Sequence, residues 1–79
     1  MINEYDVTLE GKEGDYGYFI TFKAFSRNEG RAAKLSMQKA KEIGLQIVAI
    51  EEVEKLHYGF SNEEKAEQAT GKSYFKLEK

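Results

Sequence analysis

The sequence predicts an α+β fold in which one main helix packs on a small antiparallel sheet. Three consecutive segments carry this prediction: an alternating strand from Tyr16 to Phe25, a helix from Arg27 to Ile43 with apolar residues at helical spacing, and a strand from Leu45 to Ile50. With the flanking segments, the predicted order is β-β-α-β-(short α)-β. Residues 1–79 are expected to form a single domain.

The first two predicted strands form a β-hairpin. Residues 4–10 alternate, with one apolar and one polar side: Tyr5, Val7 and Leu9 against Asp6, Thr8 and Glu10. The turn is assigned to Gly11, Gly14 and Asp15. The second strand is apolar on both faces, with Tyr18, Ile20, Phe22 and Ala24 on one and Phe19 and Phe25 on the other. This pattern is typical of a central strand.

The helix is bounded by recognisable end signals. Ser26 followed by Glu29 has the spacing of a capping box, and Gly44 stands where a left-handed C-terminal residue belongs. The predicted sheet-facing side is rich in small residues: Ala32, Ala33, Ser36, Ala40 and Ile43. We expect Ala33 and Ala40 to be buried and Arg31, Lys34 and Lys41 to be exposed.

The last third of the chain has weaker signals. The apolar pattern fades through Glu51–Lys55, so the glutamates there are placed at a strand end. Ser61 and Glu64 repeat the capping-box spacing and predict a short helix that ends near Gly71. Tyr74 to Leu77 is then predicted as a short edge strand.

Length and composition limit the class of protein. A chain of 79 residues buries only roughly 60–65% of its unfolded surface, which leaves little room for an enclosed active site beside a core. The sequence has no cysteine and no apolar run near Met1, so we expect a cytoplasmic protein without disulfides or a cysteine-based zinc site. No segment is apolar enough to cross a membrane. The formal net charge of -2 points to neither nucleic acid nor membrane.

Motifs that would carry chemistry are incomplete. Thr70-Gly71-Lys72-Ser73 resembles the end of a phosphate-binding loop, but the required first glycine is Ala66, and a P-loop needs a strand before it and a helix after it. His57 is the only histidine, and no cysteine or patterned serine accompanies it as a nucleophile. The sequence therefore predicts no catalytic residue, no cofactor and no enzyme activity.

A metal site is not predicted either. Glu51, Glu52 and Glu54 offer carboxylate oxygens, but they lack the glycine and the ligand spacing of a calcium loop. A solvated strand end accounts for them.

The charges and aromatics suggest two alternative binding surfaces. Residues 1–15 and 45–68 are acidic, whereas 27–44 are basic. The first candidate is a partner-binding surface that combines carboxylates with aromatic anchors: Glu51, Glu52, Glu54, Tyr58 and Phe60. The second is a nucleic-acid-binding helix face of Arg27, Arg31, Lys34 and Lys41. Aromatics left on an uncovered sheet face would form a third recognition patch.

The aromatic second strand matches the RNP1 signature of RNA-recognition domains only in part. In Gly17-Tyr18-Phe19-Ile20-Thr21-Phe22 a small residue is missing between the aromatics, and the strand precedes the first helix. The neighbouring hairpin is also acidic, where base stacking normally accompanies a basic groove. RNA binding is therefore retained only through the basic helix.

The segment from Tyr18 to Ser26, followed by Ala32, Ala33 and Ala40 and then by Leu45 to Val53, resembles the strand–helix–strand unit of small phage and mobile-element proteins, among them anti-CRISPR inhibitors. It is similar in outline to the LX-type archaeal ribosomal proteins. The resemblance covers about half the chain and is architectural, so it transfers no functional residue. The first family implies an inhibitor that blocks a surface of a nucleic-acid-handling defence complex.

Two functions thus remain in view. The favoured expectation is a non-catalytic protein-binding module of the inhibitor type, whose partner is a protein in a larger nucleic-acid-handling assembly. The alternative is an RNA- or DNA-binding module that uses the basic helix face. Neither expectation involves a membrane, and both leave a homodimer open.

Overall fold

The fold is one helix packed on an antiparallel sheet, which confirms the predicted α+β class. A computed structural model describes residues 1–56 and 61–77. Its elements follow in the order β1 (Asn3–Glu13), β2 (Tyr16–Ser26), α1 (Glu29–Glu42), β3 (Ile47–Lys55), β4 (Lys65–Gln68) and β5 (Ser73–Lys76). The sheet runs β3-β1-β2-β4, and β5 pairs with β2 beside β4. As predicted, β2 is central.

The hairpin of β1 and β2 is the framework of the sheet. The two strands pair without a break from Asn3 opposite Ser26 to Glu13 opposite Tyr16. Gly14 has a φ of 60°, and the following Asp15 does not have a positive φ, as in a type II′ turn. Gly11, which the sequence assigned to the turn, is instead a residue of β1.

The core lies between α1 and the hairpin. The sheet contributes the buried side chains of Tyr5, Val7, Leu9, Tyr18, Ile20, Phe22 and Ala24. The helix contributes only small residues, Ala32, Ser36 and Ala40, which let its backbone lie close to the large side chains of the sheet. The prediction for Ala40 is confirmed, whereas Ala33 is half-buried and Ile43 is exposed.

The helix starts later than the sequence predicted. Its N-cap is Asn28, whose side-chain oxygen accepts a hydrogen bond from the Arg31 N–H at 2.9 Å. The predicted capping box at Ser26 is wrong, because Ser26 is still paired with β1 and its hydroxyl donates to Glu64 at 3.1 Å.

The C-terminal signal is confirmed. Gly44 has a φ of 84°. Its N–H donates to the carbonyl oxygen of Lys41, and the N–H of Leu45 donates to the carbonyl oxygen of Ala40 at 2.9 Å. These two bonds form a Schellman motif that satisfies carbonyl groups of the last helical turn. The chain is thereby turned back toward the sheet.

The strand after the helix is longer than predicted. β3 continues through the glutamates to Lys55, because Glu52 and Glu54 pair with Thr8 and Asp6 of β1. The pairing skips Val48 and Glu51, which marks two β-bulges.

The predicted short helix after Ser61 is wrong. Residues 65–68 form β4, which pairs with Phe22–Phe25 of β2. A helix of about ten residues is only marginally stable alone, so pairing with an otherwise unpaired strand edge prevails over local propensity.

The last predicted strand is confirmed as an edge strand. β5 pairs with Tyr16–Phe19 at the other end of β2. Between β4 and β5 the chain loops out at 69–72, where the Thr70 hydroxyl accepts a hydrogen bond from the Thr21 N–H at 2.9 Å.

No helix in the described part of the chain is long and apolar enough to span a membrane.

Candidate protein-binding face of the sheet

The two faces of the sheet have different surroundings. The helix packs on the face that carries the core side chains, and no described element covers the other, which we call the open face. Because cross-strand partners point to the same side, the register identifies its side chains. On β1 they are Glu4, Asp6, Thr8, Glu10 and Lys12, and on β2 Phe19, Thr21, Lys23 and Phe25.

Four carboxylates form a strip along β1 and β3 on the open face. Asp6 lies opposite Glu54, Glu52 follows opposite Thr8, and Glu10 lies further along β1. We call Asp6, Glu10, Glu52 and Glu54 the acidic strip. It arises because the polar side of β1 is brought next to the glutamates of β3 by antiparallel pairing.

The acidic strip lacks ion pairs within the described residues. None of its four members forms a salt bridge there, and Lys23, which is paired with Asp6 across the sheet, contacts Glu4 at 3.0 Å. Glu4 also raises the pKa of the Lys23 ammonium by hydrogen bonding to its charged form. Asp6 and Glu54 are like charges directly opposite one another, which is an unfavourable cross-strand pair. A basic group placed on this face would relieve that repulsion.

Aromatic side chains adjoin the strip. Phe19, which is opposite Glu10, packs on Phe75 with 4.9 Å between ring centroids. Phe75 lies across Gly17, where an added Cβ would be only 2.4 Å from its ring. Both phenylalanines are half-buried. Rings partly exposed beside charged groups can anchor a protein partner.

The structure brings only part of the predicted acidic site together. Glu52 and Glu54 lie on the open face, whereas Glu51 is exposed at a bulge and is not paired with β1. Tyr58 and Phe60 lie outside the described residues. All three glutamates lie in the last five residues of β3, because the strand continues past Ile50 to Lys55.

Sequence reasoning did not include Asp6, Glu10, Phe19 and Phe75 in the site. The alternation of residues 4–10 had already placed Asp6 and Glu10 on the polar side of a strand. Their approach to β3 depends on strand order, which local patterns do not specify.

The basic residues of the predicted nucleic-acid-binding face are exposed as predicted, but their charged groups differ in their partners. The Arg31 guanidinium donates to the Glu64 carboxylate, with Nε 2.7 Å from Oε2, and the Arg27 N–H donates to the same oxygen. The hydrogen bonds from Arg31 and then from Arg27 lower the pKa of Glu64 to about 2. Lys34 and Lys41 are exposed. Arg31 is therefore engaged in holding α1 to the segment before β4.

The turn that resembles a phosphate loop has another role. The Lys72 ammonium donates a hydrogen bond to Oε1 of Glu13 at 2.6 Å, and the Tyr74 hydroxyl donates to Oε2 of the same carboxylate at 2.8 Å. These bonds lower the pKa of Glu13 and raise those of Lys72 and Tyr74. The network ties β5 to the hairpin, and the chain continues into a strand, where a P-loop continues into a helix.

His57 lies outside the described residues. Within 1–56 and 61–77, no group of three or more potential ligands is arranged to hold a metal ion.

Comparisons with protein-family models, with curated proteins and with solved structures found no match to this chain.

Proposed function

We propose that this chain is a non-catalytic protein-binding module whose open face docks on a basic surface of a partner protein. The observation that carries the proposal is the acidic strip on an uncovered sheet face, with Phe19 and Phe75 beside it. Complementary charge would steer association and fix its register, while the rings would supply desolvated contact area.

The most concrete form of this function is an inhibitor of a nucleic-acid-handling assembly, of the anti-CRISPR kind carried by phages. A basic groove that binds phosphates would also attract a row of carboxylates, so the acidic strip would compete with nucleic acid for it. The cysteine-free sequence fits a reducing compartment such as the cytoplasm.

The alternative function is RNA or DNA binding through the helix. Lys34 and Lys41 support it because their charges are exposed on one element. The ion pair between Arg31 and Glu64 weakens it, since the guanidinium is already bound by a carboxylate. Direct phosphate binding would give a steep loss of affinity with added salt.

Matched charge reversals separate the two functions. Glu52→Lys with Glu54→Lys alters the open face, and Lys34→Glu with Lys41→Glu alters the helix by the same number of charges. The tagged protein and both variants are used to capture partners from an extract of the source cells, with and without nuclease. Generic duplex and single-stranded nucleic acids are titrated in parallel.

We expect the acidic variant to lose the protein captured by the parent and the lysine variant to keep it after nuclease treatment. Glu42→Lys with Glu63→Lys controls for charge reversal elsewhere. Salt-dependent nucleic-acid binding that only the lysine variant loses would overturn the proposal in favour of the alternative.

A further inference from the structure

The two outer edges of the sheet are built differently. The edge formed by β4 and β5 is divided by the 69–72 loop. Side-chain hydrogen bonds of Thr70 and Lys72 attach this loop to the hairpin. On the other edge, β3 is a nine-residue strand that pairs, among the described residues, with β1 alone. The outward N–H and C=O groups of such a strand can accept a further strand.

The β3 edge also has two chemically distinct sides. Glu52 and Glu54 point to the open face, where they belong to the acidic strip. On the helix side a groove of about 390 Å³ lies at the start of the strand, between the end of α1 and Ile47. Its surface is largely apolar, and its lining residues are Met37, Gln38, Lys41, Leu45, Gln46 and Ile47.

Apolar side chains are exposed at the same edge. Val48 is 53% exposed and Ile50 is 48% exposed, although both are β-branched residues within a strand. Ile43 at the end of α1 is also exposed and lies close in sequence to the groove residues. Large apolar side chains grouped in this way are typical of an interaction surface.

The bulges limit how a partner strand can pair. Residues 52–55 follow the regular register, while Glu51 and Val48 interrupt it. A ladder of backbone hydrogen bonds is therefore expected along 52–55, with side-chain contacts continuing over Ile50 and Val48.

We propose that β3 binds an extended segment of a partner protein in which basic and apolar residues alternate. Residues opposite Glu52 and Glu54 would share the open face and be basic. The neighbour opposite Val53, and the residue that continues over Ile50, would point to the helix side and be apolar, and the segment would extend the sheet beyond β3. This inference rests on the proposed function, because it identifies how the partner meets the acidic strip.

The charge pattern disfavours a second copy of the chain as the occupant. If two β3 strands paired antiparallel along the regular stretch 52–55 about Val53, Glu52 of each copy would lie opposite Glu54 of the other on the open face. Pairing about Glu54 would place the two Glu54 side chains opposite each other. Like-charge pairs of this kind are unfavourable, whereas a basic and apolar strand places opposite charges beside both glutamates.

The test uses a short synthetic peptide in which lysine and valine alternate, with binding measured by fluorescence anisotropy at low and moderate salt. One control peptide has the same composition with lysines and valines in separate blocks. Two further peptides carry N-methyl groups on their backbone amides. In one, the methylated amides lie along one edge of the extended peptide, and in the other they lie along the opposite edge.

We expect the alternating peptide to bind more tightly than the block peptide, and N-methylation of one edge only to abolish binding. Glu52→Lys with Glu54→Lys, and separately Val48→Asp, should each weaken binding by about tenfold or more. Glu42→Lys with Glu63→Lys should leave the affinity within a few-fold. Val48 is exposed, so its substitution does not disturb the core.

Strand addition would be overturned if the block peptide bound as tightly as the alternating peptide, or if N-methylation of neither edge weakened binding. If partner capture still depended on Glu52 and Glu54, the proposed function would stand without strand addition at β3. Loss of that dependence would remove the proposed function as well. A concentration-dependent dimer that Val48→Asp dissociates would show that a second copy occupies the edge.

Discussion

Replacement of Gly11 by alanine is expected to destabilise the fold, because the ring of Tyr18 lies across this glycine. A Cβ on Gly11 would be 2.1 Å from Cζ of Tyr18 and 2.4 Å from its hydroxyl oxygen. Neither separation is compatible with van der Waals contact, so the ring or the strand must move.

The ring has little freedom to move. Tyr18 is 1% exposed, the Lys72 ammonium lies 4.9 Å from its ring centroid, and the Tyr74 ring lies 5.9 Å away. Overpacking of a buried site costs about 1–3 kcal/mol, and removal of a strand glycine returns roughly 0.5–1 kcal/mol. We therefore expect a net loss of about 1 kcal/mol in the free energy of unfolding, the difference between the middle values of the two ranges.

Urea denaturation of the parent and the Gly11→Ala variant measures this difference through the unfolding midpoint. Gly71→Ala is the control, because a Cβ there meets nothing within 4 Å. Combining Gly11→Ala with Tyr18→Leu should recover part of the loss in a double-mutant cycle. Unchanged or increased stability of Gly11→Ala would refute the close approach of the ring.

Three further predictions concern the helix and its contacts. Ala40 is fully buried, so Ala40→Leu should lower the free energy of unfolding by about 1–3 kcal/mol; a variant that melts like the parent would contradict the assigned helix face. Asn28→Ala should cost about 1 kcal/mol in urea denaturation because the N-cap acceptor is lost, and an unchanged midpoint would argue against this cap. The pKa of Glu64 is lowered to about 2 from 4.5, so its charged form stabilises the fold above pH 4.5, and this contribution is lost as the pH falls toward 2. Glu64→Gln should therefore flatten the fall in melting temperature over that range, and a parallel pH profile would contradict the ion pair.

The parts of the fold that the sequence predicts well are those determined by neighbouring residues. The polar and apolar alternation of residues 4–10 is enough to orient β1, and Gly44 marks the end of α1 because only a residue tolerant of positive φ fits there. The sequence predicted Ser26 as the N-cap, but Asn28 is an equally good capping residue and caps the helix in the structure. Ser26 is unavailable because it is still paired in β2.

The parts that could not be predicted depend on contacts between distant segments. Ser61 and Glu64 have the spacing of a helix start, yet Glu64 is bound to Arg31 and residues 65–68 pair with β2. The acidic strip likewise requires β3 to lie next to β1, in a register that a single sequence does not specify. Its composition was visible in the sequence, but its position on one face was not.

The open face as the working surface is tested most directly with a single spin label, because the chain contains no cysteine of its own. Thr8→Cys places the label at the centre of the open face, and Lys34→Cys places it on the exposed side of α1, away from the groove beside Ile47. Electron paramagnetic resonance is recorded before and after addition of the partner that the parent protein captures. If the open face is the working surface, the partner immobilises the label at position 8 and leaves the label at position 34 mobile. Immobilisation at position 34 alone would contradict this.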